Sequence, residues 1–129
     1  KPFPYIKETF EKFKAAGLKL GILSDFPPEQ KKDIWGTAPL CDVILGSEKV
    51  GALKPSIYTF GSLIEDLGVP AENILYVGNS INSDVKGAKA AGLQTAYLAP
   101  KWKLIFKKLP KEADFSFWDY RKLQEYVLK

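Results

Sequence analysis

Six polar residues stand directly after apolar runs or one short turn beyond them: Ser24 and Asp25 follow LKLGIL, Lys54 lies beyond DVILG, and Asn79, Ser80 and Asp84 follow ILYVG. Together they offer hydroxyls, an ammonium, an amide and two carboxylates. Such a set suits a phosphate ester beside a hard cation. The hydroxyl of Ser24 and nearby backbone N–H groups bind phosphate oxygens, and Lys54 offsets their charge. Oxygens of Asn79 and Asp84 hold Mg²⁺ directly or through water. Each residue alone has a plainer reading. Ser24 can end a strand, Lys54 can be a solvated lysine before a proline, and Asn79 and Ser80 can form a turn. Asn82 or Ser83 can cap a helix, and Asp84 can complement its dipole. What favours chemistry is their common position.

The sequence has no histidine and a single cysteine, Cys41. A Ser-His-Asp triad, a Cys-His pair, His-ligated zinc and an intramolecular disulfide are therefore excluded within it. Catalysis must run on carboxylates, hydroxyls, lysine and a metal that prefers oxygen.

Elements that would position these residues alternate between helix and strand. Ile6, Phe10 and Phe13 recur at helical spacing before Gly17. LKLGILS (residues 18–24) reads as a buried parallel strand, DFPPEQ (25–30) as a turn, and 30–35 as a short helix. DVILG (42–46) is the second strand. Lys54-Pro55 opens a helix whose apolar face is Ile57, Phe60, Ile64 and Leu67, closed by Gly68. ILYVG (74–78) is the third strand, followed by a helix rich in small residues that ends at Gly92. TAYLA (95–99) and FSF (115–117) are further strands, and a last helix covers 120–128. This order predicts an α/β domain over residues 1–129: a three-layer, Rossmann-like open sheet, mostly parallel, with helices on both faces. In such sheets the ligand lies beyond the carboxyl ends of the strands.

Apolar residues make up 46% and charged residues 26% of the 129, an ordinary globular balance. No apolar run approaches the roughly 20 residues that span a bilayer, and no export leader is evident, so a cytoplasmic location is expected. Residues 1–99 hold 11 lysines and 11 acids, so the net charge of +4 resides in 100–129. That is a local patch, not a nucleic-acid-binding composition, and no nucleic-acid partner is expected. Within it, PKWKLIFKKLPK (100–111) places Trp102, Ile105, Phe106 and Leu109 on one helical face among Lys101, Lys103, Lys107, Lys108 and Lys111. The simpler reading packs these aromatics on the core while the lysines snorkel, with no membrane partner. The rival is surface contact with a membrane or an acidic partner.

The order of Ser24 after an apolar strand, then GALKPSIYTF (51–60), then VGNSINSDVKGAKAAG (77–92), resembles the haloacid dehalogenase superfamily. The similarity is to its small-molecule phosphatases and dehalogenases with an early helical cap, and runs over nearly the whole sequence. The resemblance implies that Ser24 binds the transferring phosphoryl group. It implies that Lys54 offsets charge on nucleophile and phosphate, and that Asp84 orients Lys54 or a metal-bound water. Asn79 stands where the family usually has a metal-binding aspartate, so one negative charge fewer faces Mg²⁺, and phosphatase and dehalogenase chemistry both stay open. The lysines of 100–111 would then rim the site and draw in phosphorylated substrates.

The family's nucleophile belongs to an Asp-x-Asp sequence at the end of a first strand, and none occurs here. Asp25 sits on the substrate-binding rim but does not replace it, because Phe26 and Pro27 stand where a spacer and a second acid are needed. The resemblance places the absent strand between those ending at Ser24 and Gly78. A separate N-terminal segment or a second copy would then complete the sheet, or the two neighbouring strands would close up on each other, and this sequence alone would be inactive. Two functions follow: the larger part of a hydrolase acting on a small phosphorylated metabolite, or an inactive binding module of the same fold.

Overall fold

A computed structural model describes residues 5–24, 37–46 and 57–129. The turn at 25–30, the helix expected at 30–35 and the Lys54-Pro55 helix start lie outside them. Along the chain come α1 (Ile6–Ala15), β1 (Gly21–Ser24), a 3₁₀ turn (Ala38–Leu40), β2 (Val43–Gly46) and α2 (Ile57–Leu67). A 3₁₀ turn (Ala71–Asn73) leads to β3 (Leu75–Gly78), and a π-helical segment (Ile81–Lys86) runs into α3 (Gly87–Ala90). Then follow β4 (Gln94–Leu98), α4 (Lys101–Ile105), β5 (Phe115–Phe117) and α5 (Tyr120–Val127). The expected alternation is present, and every strand pairing is parallel. No helix among the described residues is long and apolar enough to cross a membrane.

Side chains alternate along the strands and so define the layers. Ala96 and Leu98 of β4 join Ile6 and Phe13 of α1 and Leu123 of α5 in one core. On the other face Val43 and Leu45 of β2 and Tyr76 of β3 pack with Phe60, Leu63 and Leu67 of α2 and Ala88 of α3. Leu63, absent from the expected helical face, is buried, whereas Ile64 is half-buried. The small residues of the second half explain themselves here: fully buried Ala88 lets α3 approach that core closely.

The strands form two groups, β1–β2 and β3–β4–β5. Between the groups lies a largely apolar cavity of about 590 Å³. Gly21, Ile22 and Leu23 of β1 wall one side, and Leu75, Tyr76 and Val77 of β3 wall the other. Ile6 and Phe13 of α1, Leu123 of α5, and Leu63 and Leu67 of α2 also line it. The slot therefore has strands at its sides and helices above and below, which is the surrounding of a central strand in a three-layer sheet.

Two aspartates tie neighbouring strands at their amino ends. Asp42 Oδ2, just before β2, accepts from Leu20 N at 2.8 Å, and its carboxylate also accepts from Lys14 Nζ at 2.8 and 2.9 Å. Asp114 Oδ2, just before β5, accepts from Thr95 N at 2.8 Å and from Lys89 Nζ at 2.9 Å. The lysine bonds, then those backbone amides, hold both carboxyls below the ordinary carboxylate range. A depressed folded pKa gives stability that is present above the unfolded value and lost as pH falls through the folded one. We expect the melting temperature to fall on acidification from about pH 6 to about pH 3, and to fall less steeply in Asp114→Asn. An identical acid slope in the variant would remove Asp114 from this account.

α1 and α5 meet through a buried polar pair. Gln124 Nε2 donates to Thr9 Oγ1 at 2.7 Å, and that hydroxyl donates to Tyr5 O at 2.7 Å. Thr9 is 1% and Gln124 6% exposed, so water cannot replace the bond. Gln124→Ala is expected to cost about 1–3 kcal/mol in a denaturation midpoint analysis, since it opens a void and strips a buried hydroxyl of its donor.

The basic segment departs from its simpler reading. α4 ends at Ile105, and Lys107 has a left-handed φ of 55° that turns the chain away. The expected face through Leu109 is therefore never formed. Trp102, Ile105 and Phe106 are 51%, 71% and 67% exposed, and only Leu104 of α4 packs, beside Val85, Tyr97 and Ala99. The aromatics do not cover the core.

Candidate active site

β3 ends at Gly78, and the chain turns through Asn79 and Ser80 into the π-helical segment. A π turn is wider than an α turn and recurs where a side chain must be aimed. Here it aims Asp84 back at the strand end: Asp84 is 5% exposed, and its Oδ2 accepts from Ser80 N at 3.1 Å. The Tyr76 hydroxyl faces Oδ1 at 3.5 Å. Tyr76 is itself held by an edge-on contact with Phe60, ring centroids 5.0 Å apart.

Gly78 makes this placement possible. A Cβ built on it would overlap the Cβ, Cγ and Oδ2 of Asp84. Because the overlap reaches Asp84 Cβ, rotation of the carboxylate alone cannot relieve it. Glycine is required by closeness, not by a special backbone conformation.

The segment is capped by Ser80 and not by Asn82 or Ser83. Ser80 Oγ accepts from Ser83 N at 3.3 Å and from Ser83 Oγ at 2.8 Å, while Ser80 O accepts from both Asp84 N and Val85 N. The wider turn moves the cap upstream of where an α-helix beginning at Asp84 would have put it. Ser80 thus holds the acid twice, by its amide to the carboxylate and by its carbonyl to the backbone of Asp84.

Of the expected site residues, Asn79 and Asp84 share this turn, Asn79 exposed and Asp84 buried. Ser24 closes β1 opposite Gly46, its side chain lying outside the described set. Asp25 and Lys54 also lie outside the described residues. Among the described residues no three His, Cys, Asp or Glu side chains cluster as a ready metal cage. Cys41, half-buried with its thiol pushed up by burial, donates weakly to Thr37 O at 3.4 Å and is unsuited to act as a thiolate. Sequence reasoning missed Gly78 and Tyr76 as parts of the arrangement, and named Ser80 without its capping role. Only Gly78 carried a signal, a glycine ending a strand immediately before a polar turn.

The geometry agrees with comparisons to known proteins. Residues 1–92 match the family model of haloacid dehalogenase-like hydrolases. A glyceraldehyde 3-phosphate phosphatase of Methanocaldococcus jannaschii is 31% identical over 131 residues, covering 98% of this chain and 55% of that protein. A phosphoglycolate phosphatase of Aquifex aeolicus is 35% identical over 99 residues, covering 74% of this chain and 46% of that protein. A crystal structure of a HAD phosphatase from Thermococcus onnurineus superposes with a TM-score of 0.87 at 28% identity, over 98% of this chain and 58% of that one. The chain thus spans about half the length of the relatives it matches. A parallel α/β core with a buried acid held at the end of β3, matched by the family model over more than two thirds of its length, belongs to the haloacid dehalogenase-like hydrolases.

Proposed function

We propose that the protein is a phosphatase acting on a small phosphorylated metabolite, with these 129 residues forming most of its catalytic core. The observation that carries this reading is the buried Asp84 carboxylate, fixed by Ser80 N–H against Gly78 at the end of β3. In the proposed site the Ser24 hydroxyl donates to a phosphate oxygen and the Lys54 ammonium offsets charge gathering on the phosphoryl group. Asp84 positions Lys54 by charge, and Asp25 belongs to the same rim.

Asn79 and Asp84 fit Mg²⁺ in type: one carboxylate and one amide oxygen suit an ion that keeps most of its own water and takes the rest from phosphate. When bound, the ion neutralises part of the ester's charge. The attacking carboxylate comes, in this reading, from a strand laid in the slot between β1 and β3. That carboxylate attacks phosphorus, the P–O ester bond breaks, and the alcohol leaves with a proton from a neighbouring acid. Water then hydrolyses the aspartyl-phosphate to inorganic phosphate and the free carboxylate.

The test is release of inorganic phosphate by the intact protein from p-nitrophenyl phosphate and a panel of small sugar and carboxylic acid phosphates, with and without Mg²⁺. Halide release from short 2-haloacids serves as the counter-assay. Phosphate release without halide release supports the proposal. Halide release alone makes the protein a dehalogenase, and neither product makes it an inactive binding module.

A further inference from the structure

We propose that α4 and the turn after it form a docking surface for an anionic lipid membrane. On it, Trp102, Ile105 and Phe106 enter the headgroup layer while lysines meet lipid phosphates. The first observation is exposure: these three side chains are 51%, 71% and 67% exposed, where burial of such residues is the rule. They cluster on one five-residue helix and its end, and Lys107 reverses the chain directly after them, so they stand out as a projection. A projection of bulky apolar tips suits a soft surface that yields around it better than the pocket of a folded partner. Trp118, 48% exposed, extends the patch, with Lys101 Nζ lying 5.7 Å from its ring centroid.

The second observation is charge. Lys101, Lys107, Lys108 and Lys111 are exposed, and none makes an ion pair with a described residue. Of the nearby acids, Asp114 is engaged with Lys89 and Asp119 with Arg121, which leaves Glu112 as a single acid among these lysines. Lys103 is different, being fixed by the Tyr97 hydroxyl at 3.2 Å, and it anchors the projection rather than serving the surface. Free lysines around exposed aromatics are complementary to a surface that is apolar below and negative above. A few interfacial side chains or a few lysines alone hold a protein weakly, and the two together hold it reversibly but measurably. Self-association through this face would oppose lysine to lysine, which disfavours a second copy as the occupant. β4 leads directly into α4, and its Tyr97 is in register with Gly78, so the surface borders the strand end that carries Asp84. The inference does not depend on the phosphatase reading.

The experiment is co-sedimentation of the intact protein with phosphatidylcholine vesicles, with and without about one quarter phosphatidylglycerol, at about 50 mM and about 500 mM salt. Two paired variants accompany it: Trp102→Ala with Phe106→Ala, and Lys107→Glu with Lys108→Glu. Binding is expected to the anionic vesicles at low salt, to weaken at high salt, and to fall at least about tenfold in each paired variant. Melting temperatures of both variants should stay close to the parent's, since Phe106, Lys107 and Lys108 lie mostly in water and Trp102 is half exposed, its ring meeting Lys103 Nζ at 5.5 Å. Failure to sediment with anionic vesicles overturns the proposal. So does equal binding to neutral vesicles, or binding unaffected by the lysine changes. Loss of a dimer in the variants without vesicle binding would also overturn it, in favour of a self-interface.

Discussion

Gly78→Ala is expected to lower kcat on p-nitrophenyl phosphate by about a hundredfold while the protein stays folded. The added methyl would occupy the space of Asp84 Cβ, Cγ and Oδ2, so the acid or the end of β3 must shift. Overpacking of this kind costs roughly 1–3 kcal/mol of stability, which a marginal but folded domain can absorb. Catalysis absorbs it less well, because an ångström of misplacement at a charged group removes the alignment on which rate depends. Asp84→Asn separates geometry from charge: it keeps the shape and, through its amide oxygen, the bond from Ser80 N–H, but discards the charge. It should lose turnover comparably with a smaller change in melting temperature. Steady-state kinetics with thermal melts of both variants decide the matter. A folded Gly78→Ala protein with parental kcat would show that Asp84 has no catalytic part.

Much of this arrangement was legible in the sequence for definite reasons. Apolar runs ended by Gly17, Gly68 and Gly92 mark where strands and helices alternate, and all three glycines have φ between 68° and 92°. Asp84 was legible because it is an acid one turn beyond a strand. Its neighbours' roles were not. Ser80 acts through a π turn, whose wider spacing no α-helical template anticipates, and Gly78 acts through a contact six residues away that exists only after folding. The basic segment misled in the opposite direction. Trp102, Ile105, Phe106 and Leu109 have helical spacing, but Lys107 adopts a left-handed conformation that spacing does not reveal. A short helix supplies too little propensity to carry the pattern through it.

Residues 1–129, expressed alone, are expected to turn over p-nitrophenyl phosphate no faster than a buffer blank. The reason lies in the slot. At about 24 cal/mol per Å³, an empty apolar cavity of 590 Å³ would cost on the order of 14 kcal/mol. That figure is a ceiling, because water enters wherever the slot is open, yet it rivals the whole net stability of a domain, roughly 5–15 kcal/mol. Apolar walls with strand edges on both sides favour a slot that is filled or closed. Filling it with an apolar strand pairs the facing edges of β1 and β3 and, in the proposed mechanism, delivers the attacking carboxylate beside Asp84. Closing it joins β1 to β3 and leaves nothing to attack phosphorus, so turnover should drop by at least about a thousandfold relative to the filled form. Strand spacing distinguishes the two, since Gly21–Ser24 and Leu75–Gly78 would lie about 4.8 Å apart when paired directly and about twice that when a strand lies between them. Steady turnover by the purified 129-residue chain would place the nucleophile within it and end this assignment of the slot.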